Sequence, residues 1–142
     1  MGDDRRGRVV GGTCQALAVP SQRRSPPGWP TSVLPPGADG WEHRAIAFLL
    51  DLAPGDFRTE PLYARQPVLL AWRVQALIEA QLESARSCYS RARAELRDHA
   101  TPEVVAETLQ ALEREGAALL ARRREVDLVS RALRGESFVT RL

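Results

Sequence analysis

Apolar residues recur in steps of three and four along two long stretches, from Pro67 to Arg97 and from Thr101 to Arg134, and both stretches are otherwise rich in charge. That spacing predicts amphipathic helices with a narrow apolar stripe, the pattern of a coiled-coil seam. On the first helix the stripe is Ala71, Gln75, Ile78, Leu82, Ala85, Tyr89, Ala92 and Leu96. On the second it is Val105, Leu109, Leu112, Gly116, Leu119, Arg123, Val126 and Ser130. Pro67 suits the first position of a helix, Asp98-His99-Ala100 interrupts it, and Thr101-Pro102-Glu103 supplies an N-cap, a first-turn proline and an acid at the positive helix end. Gly135 follows as a C-cap glycine, after Arg131 and Arg134.

A fold at the turn 98–101 sets the two stripes face to face. Leu96 then meets Val105, Ala92 meets Leu109, Tyr89 meets Leu112, Ala85 meets Gly116 and Leu82 meets Leu119. The expected result is a long antiparallel helical hairpin, with helices over about 67–98 and 102–134, and Ala85 opposite Gly116 is expected to permit close backbone approach. Opposite charges fall together in the same register: Arg97 with Glu103, Arg93 with Glu107, Arg86 with Glu113, Glu79 with Arg122 and Arg73 with Asp127. Exposed pairs of this kind are worth about 0–1 kcal/mol each, so they specify orientation more than stability.

Toward the open end of the hairpin the seam turns polar at Gln75, Arg123 and Ser130, while Leu69, Leu70, Val74, Leu77, Leu120, Val129 and Leu133 fall on other faces. A third element must cover them. The run AIAFLLDLA is apolar around much of a helical circumference, and Asp39-Gly40-Trp41-Glu42 before it reads as a capping box. A helix is therefore expected over about 40–53, followed by a connector over 54–66 with one turn begun at Pro61 and anchored by Phe57, Leu62 and Tyr63. Trp41 and Trp72 are expected in the core at this three-helix end, although Trp72 at its margin is also placed to anchor a partner.

Residues 1–38 are rich in Gly, Pro, Ser and Arg and read as a disordered or extended N-terminal tail. In the alternative reading its second half lies across the helical body as a proline-stiffened strip carrying Trp29, Val33 and Leu34. Residues 136–142 read as a C-terminal tail. The fold class is thus all-α, with one helical domain over 39–135.

Composition narrows the function classes. All 20 basic residues are Arg, with no Lys and no Asn, a bias expected of a GC-rich bacterial genome. A net charge of +2 gives little long-range attraction to nucleic acid or acidic lipid. Cys14 and Cys88 stand in segments of different character, which argues against a disulfide between them and for a reducing, cytoplasmic setting. The run from Val9 to Pro20 is broken by Gly11, Gly12, Thr13 and Gln15 and does not read as an export signal, and no stretch approaches the roughly 20 apolar residues of a membrane span.

The chemistry-bearing residues form no recognised constellation. His43 and His99 are not spaced with Cys or carboxylates as metal ligands, Cys88 on a helix face reads as a small packing residue, and phosphate-binding or nucleophile-elbow motifs are lacking. No cofactor, catalytic residue or metal ligand is therefore expected. Arg122-Arg123-Arg124 is the sharpest cluster, and with Arg5, Arg6, Arg8, Arg23 and Arg24 it offers contacts to phosphate. Consecutive helical residues diverge by about 100°, however, so these three do not share one face. Hairpins of this size resemble the small secreted partners of bacterial type VII export. The Trp-x-Gly turn of that family is replaced here by Asp98-His99-Ala100-Thr101, and the chain is not assigned to it.

The expected function is a non-enzymatic interaction module, an adaptor, scaffold or small regulator that binds a protein partner or itself, with Trp72 and Arg122, Arg123 and Arg124 as candidate partner-binding residues. The first alternative is a nucleic-acid-associated regulator using the Arg-rich tail and Arg122–Arg124. The second is an enzyme whose site carries no familiar motif.

Overall fold

The computed structural model describes residues 24–138, and among these it is all-helical, with no strand. Four α-helices follow in order: α1, Trp41–Asp51; α2, Pro61–Arg65; α3, Pro67–Glu95; and α4, Pro102–Leu133. A single 3-10 turn, Gly55–Thr59, links α1 to α2. The long helices α3 and α4 form a packed pair. Tyr89 donates from its hydroxyl to Glu113 at 3.0 Å, and Arg123 reaches Glu79 at 3.2 Å, so positions later in α3 meet positions earlier in α4.

The ends of the pair follow from local chemistry. Pro67 and Pro102 open their helices, and the Thr101 hydroxyl accepts from the Val104 amide at 3.4 Å. The α3 helix stops at Glu95, and the amides of His99 and Ala100 close a turn onto the Leu96 carbonyl at 3.0 and 2.9 Å. At the far end of α4 the Gly135 amide bonds the Ala132 carbonyl and the Glu136 amide bonds the Arg131 carbonyl, the two bonds of a Schellman motif. Arg131 locks the same end through a 2.6 Å bond to Glu136, and that bond, with its charge, raises the guanidinium pKa above its ordinary value.

Every seam position is buried or half-buried. The burial is uneven, because beyond Leu82 the buried seam residues at the turn end are the small Ala85 and Ala92 with Val105 and Leu109. The large buried side chains gather at the other end, where Leu49 of α1 joins Leu70 and Val74 of α3 and Val126 and Val129 of α4. Removing such a side chain from water is worth about 1.5–3 kcal/mol, so most of the stabilising burial sits at this base and little of it in the finger beyond.

Residues 24–38 depart from the expected tail. Trp29 and Val33 are 7% and 3% exposed and belong to the main core cluster, and the Trp29 indole donates to the Val33 carbonyl at 3.1 Å. Two Pro-Pro-Gly-X turns shape this strip: the Trp29 amide bonds the Pro26 carbonyl and the Ala38 amide bonds the Pro35 carbonyl. Gly28 and Gly37, each at φ +82°, take the third turn position, which in a type II turn demands a left-handed residue. Leu34, the third expected anchor, is 42% exposed. Residues 1–23 lie outside the described part of the chain, as do 139–142 of the expected C-terminal tail. The described start of that tail folds back, with the Phe138 ring 6.3 Å from Trp29 and beneath Arg131 at 5.3 Å.

Three local expectations are corrected. The capping box at Asp39 does not form: Gly40, at φ 76°, is the N-cap of α1 with no side-chain cap, and Asp39 falls one residue too early to serve. Leu62 is 38% exposed and anchors nothing; the connector is held by Phe57, stacked on Tyr63 at 4.6 Å with Arg73 over its ring. A stacked aromatic and a guanidinium cover Phe57 better than one leucine could. Gly116 is not a close-approach point between the paired helices, since a Cβ built on it meets nothing within 4 Å.

Because Trp29 is a core residue with a buried indole bond, Trp29→Ala is expected to lower folding stability by about 3–5 kcal/mol, read from the urea midpoint of the full chain. An unchanged midpoint would show that the strip contributes no packing.

Candidate interaction surface

Among the described residues Trp72 is the most exposed of the large apolar side chains, at 61%, and not a core residue. The core of α3 at this level is reached by Leu70, Ala71 and Val74, all fully buried, and position 72 is rotated away from that face. Val68, one turn earlier on the same side of the helix, is 42% exposed. Trp41 does join the core, with its ring 6.1 Å from that of Trp29.

The three consecutive arginines separate as helical geometry requires. Arg122 pairs along its own helix with Glu125 at 3.4 Å, and Arg123 crosses to Glu79 at 3.2 Å. Arg124 makes no ion pair among the described residues, and with Arg123 it borders an open hollow floored by Ile78 and Val126. Two of the three charges are thus neutralised locally. Of the expected cross-seam pairs, Glu79 is met by Arg123 in place of Arg122. Glu113 instead accepts from Tyr89, Asp127 pairs with Arg131 along α4 at 3.8 Å, Arg97 lies nearest Asp98 at 3.9 Å, and Arg73 covers Phe57. Residues beside the seam reach their own helix neighbours more easily than the partner helix. Arg86 and Arg93 have no acidic partner among the described residues.

Two further hollows lie between α3 and α4 in the finger. One is bordered by Leu82, Ala85, Tyr89, Leu112, Gly116 and Leu120, the other by Arg93, Arg97, Pro102, Val105, Ala106 and Leu109. At the first of these, the small Ala85 and Gly116 leave space that the larger flanking residues do not fill. Pattern reasoning missed these hollows because it scored seam positions as apolar without asking whether their volumes fill the space between helices.

Among the described residues there is no cluster of three metal-ligating side chains, and no helix is long and apolar enough to cross a membrane. His43 and His99 are exposed, and Cys88 is a half-buried free thiol. Comparison with protein-family models, with curated proteins and with solved structures finds no match.

Two outcomes test this geometry. The Glu79–Arg123 pair is about half-exposed on both sides, so a double-mutant cycle through Glu79→Ala and Arg123→Ala is expected to return under about 1 kcal/mol, shrinking with salt. A larger, salt-insensitive coupling would contradict the exposed geometry. With open space at its Cβ position, Gly116→Ala is expected to raise the unfolding free energy of the dilute chain by roughly 0.5–1 kcal/mol. A loss of stability would mean that the side is already occupied.

Proposed function

We propose that the protein is a non-enzymatic interaction module, an adaptor, scaffold or small regulator of the bacterial cytoplasm, whose α3–α4 pair serves as an antiparallel, coiled-coil-like hairpin and presents its surface to a protein partner or to a second copy. The observation that carries this reading is Trp72. An indole 61% exposed on a rigid helix, with Val68 beside it at 42%, is a cost in water that a covering partner would remove. The hairpin is suited to this use, since its base holds the core while the finger displays more helix surface than the chain covers.

Charge gives less support to the nucleic-acid alternative. Arg122 and Arg123 are engaged with Glu125 and Glu79, so Arg124 alone of the cluster is left for a phosphate. Contacts to phosphate would make binding fall steeply with salt.

The test is site-specific photo-crosslinking from position 72 of the full chain in cells, with Ala111, an exposed residue of α4, as the control position. A discrete protein adduct from position 72 and none from 111 is the expected result. Absence of any protein adduct, together with nucleic-acid binding that weakens steeply with salt, would replace this reading by the nucleic-acid one.

A further inference from the structure

We infer that residues 26–36 form a strap with a latch: the strip lifts off the base as one unit, hinged at Gly37–Gly40, while the helices stay folded, and Phe138 holds it closed. Opening bares the Trp41 ring and the Leu128 side of α4, which the closed strap covers.

The strip is folded on itself. The amides of Trp29, Val33 and Ala38 bond the carbonyls of Pro26, Pro30 and Pro35, and the Trp29 indole bonds the Val33 carbonyl. These bonds travel with the strip and need not break when it lifts. Its hold on the helices is made by side chains: Trp29 packs on Trp41 of α1, Val33 enters the core cluster, and Gly28 lies where an added Cβ would stand 3.6 Å from Leu128 of α4.

The helices have a core of their own. Leu49, Leu70, Val74, Val126 and Val129, the largest fully buried side chains, all belong to α1, α3 and α4. A segment attached to such a core by a few side chains opens locally, at a free energy below that of global unfolding. Gly37 and Gly40, at φ 82° and 76°, stand just before α1, where a few residues at an element's end absorb the change of direction.

The latch is built by α4 and is in place without the strip. After the helix ends at Gly135, Arg131 bonds Glu136 at 2.6 Å and covers the Phe138 ring at 5.3 Å. That ring meets Trp29 edge-on at 6.3 Å, so Trp29 is packed against α1 on one ring and against the α4 return on another. Past the Trp29–Phe138 pair the strip and the return part around an open hollow of about 630 Å³, bordered by Pro36, Trp41, Ala132, Gly135 and Phe138. Closure on this side is therefore decided at the ring pair.

The experiment is thiol labelling of the full chain carrying Cys14→Ser and Cys88→Ala, with one reporter at a time: Val33→Cys under the strap, and Val129→Cys or Val126→Cys in the base. Each is measured with and without Phe138→Ala across low urea, and circular dichroism of every variant checks its helices. Position 33 is expected to label at least tenfold faster than either base position and with little urea dependence, since a local opening exposes little surface. Phe138→Ala is expected to speed labelling at position 33 about tenfold. Equal rates with equal urea dependence at position 33 and in the base would overturn the strap, and labelling at 33 indifferent to Phe138→Ala would overturn the latch. Loss of the helices in the Val33→Cys chain would also overturn the strap, because the helices would then depend on the strip.

Discussion

The structure depends on the burial gathered where α1, the residue 26–33 strip and the base of the long helix pair meet. Leu49, Leu70, Val74, Val126 and Val129 are removed from water there, with Trp29 and Trp41 packed against them. Neither long helix could hold this shape alone, since most helical stability in proteins comes from packing an apolar face rather than from propensity. The base fixes one end of the pair, and the finger extends from it on a seam of small residues. The base is stable because residues off the seam, Leu70, Val74 and Val129, add their burial to it, whereas the finger has the seam alone.

The periodic parts of the fold were readable from the sequence because their signals are local and repeated. Pro67, Thr101-Pro102 and Gly135 mark ends of the long helices, and the step of three and four between Ile78, Leu82 and Ala85 marks the seam. What escaped was set by tertiary contact. The segment Pro26–Ala38 has no periodicity and reads as a tail, yet its two Pro-Pro-Gly turns are specific chain reversals that bring Trp29 and Val33 onto the core. Proline there stiffens a packed strip instead of freeing a linker. The capping role assigned to Asp39 failed by one residue because Gly40 turned the chain first.

The candidate surface was legible in part. Trp72 lies within reach of the base by sequence, and whether it turns inward depends on a rotation about α3 that places Leu70, Ala71 and Val74 inside and Trp72 outside. The arginine run at 122–124 stood out as a cluster in the chain but is dispersed around the helix, with Arg122 and Arg123 tied to separate acids. Gly116 was the reverse case, expected from the sequence to let the backbones approach at Ala85, whereas its open surroundings show that the folded chain has no need of it.

The most direct measurement of this account is native-state hydrogen exchange on the dilute full chain, resolved along α3 and α4. If stability resides at the base, amides around Leu70–Ile78 and Val126–Val129 exchange slowest, near the global unfolding limit, and protection falls toward the turn at 96–101. Uniform protection from base to turn in the dilute chain would contradict it, because the finger would then be complete without a partner.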